Sequence, residues 1–133
     1  MELKNYITMN ALEGYLSCDE DDLRWLLDGE SDAHIALGSG SGKNKVQEAV
    51  SQLLGSPLAK TALESASKLI ILITMSKDCT INDLYDTVSS IHNAAAPSVE
   101  VIEGVRERDD VADAIEVTVI AAGFNNQSEE NNE

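Results

Sequence analysis

Apolar residues recur along this chain with two different periods, and the boundaries between them mark out a small set of elements. The run Lys68 to Met75 (KLIILITM) is almost unbroken aliphatic and β-branched sequence, which predicts a strand covered on both faces and therefore central in its sheet. Before it, Val46, Ala49, Val50, Leu53 and Leu54 fall at offsets of three and four. That spacing predicts an amphipathic helix from Asn44 until Gly55, Ser56 and Pro57 stop it. After the strand, Ile81, Leu84, Tyr85, Val88 and Ile91 predict another helix with those residues as its buried stripe. Thr80 is its N-cap, with Asp83 placed to return a bond to the cap as in a weaker capping box, and Pro97 lies beyond its end.

Shorter patterns complete the chain. Val99 and Val101 flank Glu100, and Ile115, Val117 and Val119 alternate with Glu116 and Thr118. Strands are therefore predicted over Ser98 to Glu107 and Ala114 to Ala122, and the short charged link Arg108 to Asp113 predicts that they form an antiparallel hairpin. His34 to Gly38 reads as a short strand, and Gly38 to Asn44 (GSGSGKN) as a flexible connector. Asp19 offers an N-cap to a first helix carrying Leu23, Leu26 and Leu27 and ending at Gly29. Residues 1–15, with Leu3, Tyr6 and Ile7 on one helical face, are expected to be an arm or helical lead-in. Residues 125–133 contain no apolar side chain and are expected to be a disordered tail. Over residues 16–124 the order is helix, strand, helix, strand, helix, strand, strand. It predicts an α+β two-layer sandwich, a four-stranded mixed sheet with helices mainly on one face.

Composition sharpens this picture in three ways. A chain of 133 residues fits one domain able to fold without disulfides or metals, and 4% aromatic content means that aliphatic side chains must build its core. The net charge of −15 excludes nucleic acid as an expected partner and favours basic surfaces, or groups that bring their own cation. Cys18 and Cys79 have no second Cys or His at metal-ligand spacing, so two reduced thiols are expected, and no metal site. No N-terminal segment resembles a signal peptide, and the longest apolar run, Leu69 to Ile73, is far too short to span a bilayer. A cytoplasmic chain without direct membrane binding is expected.

Candidate chemistry is concentrated in Leu16 to Arg24 (LSCDEDDLR). Asp19 and Asp22 lie three residues apart at a helix start, where both can face one side and orient a water or hold a hydrated cation near a phosphate. Acids in that position ordinarily just complement the helix dipole. Gly38 to Asn44 follows a strand, precedes a helix and contains Gly-Lys. It is nonetheless one residue short of a phosphate-binding P-loop and has Asn44 where Mg²⁺ needs Ser or Thr, so a surface connector explains it better. His34 and His92 have no nucleophile in a recognisable context. Trp25, the only Trp, adjoins the acidic run. Its ordinary role is packing, and a large aromatic beside a docking loop also suits an interface.

Several of these segments together resemble the C-terminal domain of FtsZ, the bacterial relative of tubulin. Glu116 to Phe124 (EVTVIAAGF) is similar to that family's closing strand, and the Gly-Ser tract, the following helix and Ser56-Pro57-Leu58 are similar to the segment before its central strand. The resemblance runs in unbroken order from Tyr6 to Phe124. It places Leu16 to Arg24 on the family's synergy loop, with Ser17 at the asparagine position and Asp19 and Asp22 on its two acids. In the family this loop enters the nucleotide pocket of the next filament subunit, where its acids position and polarise the water that attacks GTP. The resemblance thus implies that Asp19 and Asp22 are catalytic residues lent to a partner, and that Ser17, Cys18, Glu20, Asp21 and Trp25 lie at the interface. GTP and Mg²⁺ would sit on that partner, with no cofactor bound by this chain alone.

The departures are equally specific. The sequence contains neither the family's glycine-rich GTPase domain nor its C-terminal anchor-recruiting peptide, and the segment between Ile7-Thr8 and Ser17 is slightly long. Glu20 and Asp21 add negative charge that repels a γ-phosphate unless a cation intervenes. The resemblance implies an interaction module that docks its acidic loop on the nucleotide face of an FtsZ- or tubulin-like GTPase, or self-associates, in cell division or filament regulation. Its own enzymatic activity is not expected. The alternatives are an expressed fragment of a full-length FtsZ-like GTPase, and an autonomous small-molecule-binding domain, because the predicted architecture also resembles chorismate mutase-like proteins.

Overall fold

The computed structural model describes residues 20–28, 33–110 and 112–124. Its elements in chain order are α1 (Glu20–Leu27), β1 (Ala33–Ser41), a 3₁₀ turn (Gly42–Asn44), α2 (Lys45–Leu53), α3 (Pro57–Ser65), β2 (Ala66–Ser76), α4 (Ile81–Ala94), β3 (Glu100–Arg108) and β4 (Ala114–Phe124). The four strands make one mixed sheet in the order β1-β4-β2-β3. β4 is antiparallel to both its neighbours, and β3 is parallel to β2. The α+β sandwich expected from the pattern is the architecture found.

The apolar run does lie at the centre. Leu69 through Ile73 are essentially inaccessible, and they alternate between two layers. Leu69, Ile71 and Ile73 join Ile115, Val117, Val119 and Ala121 beneath α2, α3 and α4, with Ala49, Leu53, Leu63 and Ile91 from those helices. Ile70 and Leu72 join Ile120 and Ala122 on the other face, under Leu26 of α1. A strand buried on both faces has no use for polar alternation, which is why its sequence is continuous.

The expected hairpin does not form. β3 and β4 both pair with β2, which lies between them. A link of a few residues reaches across two strand spacings of about 4.8 Å as readily as across one. The choice falls to β2, whose two edges both need partners, and to α4, a crossover that returns the chain parallel to β2. The link is then tied down locally. Gly42 N–H donates to the Asp113 carbonyl at 2.8 Å, and Ala114 N–H donates to Ser76 Oγ at 3.0 Å. Asp113 N–H donates to Asp78 Oδ2 at 3.0 Å, with Asp113 itself at a left-handed φ of 49°.

The Gly-Ser connector is a second correction, since Gly38 to Ser41 belong to β1. Gly38 and Gly40 face α2, and a Cβ on either would sit 2.1 Å from the carbonyl oxygen of Ala49 or Lys45. The alternate glycines thus let the helix backbone rest on the strand. The same helix caps the C-terminal end of β1 at the sheet edge. Its Gln52 Oε1 accepts from Ser39 N–H and its Glu48 Oε1 from Ser41 N–H, both at 3.1 Å. Side chains one helical turn apart therefore satisfy two outward strand donors.

Two further differences concern helices. α3 was not expected, because Gly55-Ser56-Pro57 reads as a stop. It is also a start, with Ser56 Oγ accepting from Ala59 N–H at 3.4 Å and Pro57 at the first position. In α4 the capping box is complete, with Thr80 and Asp83 bonding each other's backbone N–H. Its expected stripe is not wholly buried. Ile91 is inaccessible and Leu84 and Val88 pack on the core, but Ile81 and Tyr85 are 76% and 68% exposed.

Candidate functional site

The acidic run leads into α1, and the packing of α1 determines what that run can reach. Leu26 is fully buried against Ile70, Leu72, Ile120 and Ala122, and Trp25 packs half-buried at the margin of the same cluster. The Lys68 ammonium donates to the Trp25 carbonyl at 2.9 Å and lies 5.5 Å from its ring centroid. A cation is therefore placed on the last turn of α1, where it complements the helix dipole and adds a cation–π contact. α1 is the one described helix on this face of the sheet.

Toward the helix start, Asp21 is exposed and pairs with Arg24 at 2.9 Å, one turn away. An exposed pair of this kind contributes at most a few tenths of a kcal/mol, about 0.3–0.5. Glu20 and Asp22 belong to α1 by backbone, and their side chains lie outside the described residues. Ser17, Cys18 and Asp19 likewise lie outside the described residues. Of the expected site, the structure therefore places Asp21 and Trp25, one outward and one as an anchor.

A second polar cluster, at the opposite end of the sheet, was not anticipated. Lys45 Nζ, with a side chain only 11% exposed, lies 2.9 Å from Asp113 Oδ1 and 3.5 Å from Asp83 Oδ2. The bond to Asp113 leads the influences that hold the Lys45 ammonium above the usual lysine range. The Thr80 backbone N–H, followed by the charge of Lys45, holds the Asp83 carboxyl below its usual range. This cluster joins the start of α2, the first turn of α4 and the turn before β4. With the Gly42 N–H and Lys45 both committed to it, the Gly-Lys segment does not form a phosphate cradle. Neighbouring Lys43 is exposed, and sequence spacing gave no sign that Asp113 would close on Lys45.

His92 and Cys79 serve local contacts. His92 Nε2 lies 3.0 Å from Glu103 on β3, and Cys79 Sγ donates to the Ala114 carbonyl at 3.2 Å. Among the described residues, no three His, Cys, Asp or Glu side chains converge as metal ligands. Two open clefts, beside Gly38 and Gln52 and beside Ser65 and Ser98, bring together neither basic nor aromatic side chains. No helix among the described residues is long and apolar enough to cross a membrane.

The architecture is shared with solved FtsZ and TubZ structures. A structure titled "FtsZ dimer, empty", from M. jannaschii, superposes with a TM-score of 0.70 over 96% of this chain and 41% of that one, at 22% identity. The GDP-form protofilament structure of TubZ from Bacillus thuringiensis serovar israelensis gives a TM-score of 0.64 at 13% identity, over 84% of this chain and 31% of that one. At these identities the likeness defines a fold class, that of FtsZ-like C-terminal domains.

Sequence takes the assignment further. Residues 31–125 match the FtsZ family, C-terminal domain, and the chain belongs to that family. The cell division protein FtsZ of Mycoplasmopsis pulmonis (strain UAB CTIP) is 30% identical over 131 residues, 98% of this chain. The chain spans about a third of that relative's length, 34%. The family match begins after α1, whereas the alignment to the Mycoplasmopsis protein takes in nearly the whole chain.

Proposed function

We propose that this chain is an interaction module of cell division, docking the acid-rich entry to α1 on the nucleotide face of a GTPase-bearing FtsZ-type partner. Asp19 and Asp22 are the acids that would reach the partner's site and polarise the attacking water. Ser17, Cys18, Glu20 and Asp21 would line the contact with them, and Trp25 would anchor it. GTP and Mg²⁺ belong to the partner, whose cation offsets the repulsion between a γ-phosphate and a chain of net charge −15. The cytoplasm is the compartment this role requires.

The observation that carries this reading is the isolated seating of α1. Leu26, Trp25 and the Lys68 bridge fix its C-terminal half to a sheet face on which no other described helix lies. A helix anchored at its C-terminal half, with an acidic start not enclosed by α2, α3 and α4, is suited to insertion into another subunit. Docking without a following GTPase domain would end a filament instead of extending it.

The test adds the chain to polymerising FtsZ with GTP and measures filament length and phosphate release. Shortened filaments, with the effect lost in Asp19→Ala and Asp22→Ala, are expected. An unchanged polymer at excess chain, or an effect indifferent to both acids, overturns the reading.

The 34% share of the relative's length favours a second reading. The chain would be part of a longer FtsZ-type GTPase, and the same acids would then complete the site of the next identical subunit. An in-frame glycine-rich GTPase domain encoded upstream of Met1 establishes it.

A further inference from the structure

β3 (EVIEGVRER) sorts its charges by face. Successive strand residues point to opposite sides, and the register with β2 sets Ile102 and Arg106 beside Ile70 and Thr74, on the side of α1. Both arginines are held on that side. Arg106 Nε donates to Thr74 Oγ1 at 3.0 Å, and Arg108 bonds Asp110 and lies 3.7 Å from Glu116. Val101, Glu103, Val105 and Glu107 therefore belong to the opposite side, where α4 lies. Val101 packs on the core, but half-buried Val105 lies outside both core clusters, and Glu103 and Glu107 are exposed. Toward α4 the strand is apolar and acidic.

α4 brings an apolar pair to the same place. It joins the end of β2 to the start of the parallel β3 and so runs antiparallel to both. His92 Nε2, 3.0 Å from Glu103 Oε2, fixes its alignment with β3. Exposed Ile81 and Tyr85 precede His92 by three turns and two, and both fall within about 20° of its direction around the helix. They lie about 16 and about 10 Å back along it. Val105 and Glu107 lie about 7 and about 13 Å along β3 from Glu103, level with that pair. Beyond the far end of this strip, Lys77 is paired with Asp109 at 3.4 Å.

We infer that the strip between α4 and β3 docks a basic amphipathic helix of a partner protein. Ile81 and Tyr85, one turn apart, match the spacing of apolar anchors on such a helix. The Tyr85 ring offers its face to a Lys or Arg, while Glu107 and Glu103 meet the basic flank. The net charge of −15 draws a basic segment and repels a second copy or an anionic membrane. This surface is on the opposite side of the sheet from α1, so either contact can fail without the other.

Titrating the full chain with a short amidated peptide, leucines at helical spacing and lysines elsewhere, tests it through amide chemical shifts. Shifts confined to α4 and β3 are expected, with a dissociation constant on the order of 10–100 μM for so small a contact. Tyr85→Ala is expected to weaken binding by about fivefold or more. Glu107→Lys should weaken it by about threefold to tenfold, and Asp28→Lys, the same charge change on the α1 side, by less than about twofold. Tyr85, Glu107 and Asp28 are exposed, and circular dichroism checks that each variant is folded. No binding, or shifts spread over other surfaces, overturns the inference. So does equal binding of a peptide with Ser in place of every Leu, or equal weakening by Glu107→Lys and Asp28→Lys. Shifts of the same amides with protein concentration alone would assign the strip to a second copy, and overturn it too.

Discussion

At Gly40 a methyl group has nowhere to go, because its position would fall 2.1 Å from the Lys45 carbonyl oxygen of a helix that the same strand supports. Neither backbone can yield without parting α2 from β1 and releasing the Glu48 and Gln52 caps. Gly40→Ala is therefore expected to cost about 1–3 kcal/mol, the range for forced overpacking, read as a lowered urea midpoint. Gly42 is a different case, with open space where its Cβ would be but a φ of 76° that disfavours any side chain. The alternation of Gly with Ser was visible in the sequence. Its meaning was not, since period-two glycines facing a helix and a flexible linker have the same composition.

Among the elements, α1 is the one described helix on its face of the sheet. Of its described side chains, fully buried Leu26 and half-buried Trp25 hold it, with the Lys68 bridge from the strand below. Leu26→Ala is expected to destabilise the fold by about 2–5 kcal/mol. Native-state hydrogen exchange should show α1 opening first while β2 and β4 stay protected, and filament shortening should fall with it. Element by element, strands and helices were legible wherever large apolar residues set the period, as in β2, α2 and most of α4. α3 was hidden because its buried face includes the small residues Ala59 and Ala62, which scarcely register as a stripe. The non-adjacent placement of β3 and β4 was hidden because chain distance does not reveal which edge of β2 is vacant. For the candidate site, spacing alone marked Asp19 and Asp22 only as acids at a helix start. Their assignment to catalysis came from family resemblance.

For the whole molecule, the Lys45, Asp83 and Asp113 cluster joins elements distant in sequence, so its protonation bears on the entire fold. Asp83 is depressed below the ordinary carboxylate range. Its stabilisation is present above that range and is lost as pH falls through the depressed value, below about pH 4. Lys45 is raised. Its stabilisation is complete below the ordinary lysine value and is lost as pH rises through the raised one, above about pH 10. Urea midpoints measured against pH should form a plateau between these limits. Lys45→Met should flatten the alkaline limb and reduce the acid limb without abolishing it, because Thr80 still donates to Asp83.

The Gln52 and Glu48 caps also guard the end of β1 against unwanted company, because the Ser39 and Ser41 N–H groups that an incoming strand would need there are already taken. Substituting both by apolar residues would leave these donors bare and is expected to raise the aggregation rate of the folded chain, read by light scattering.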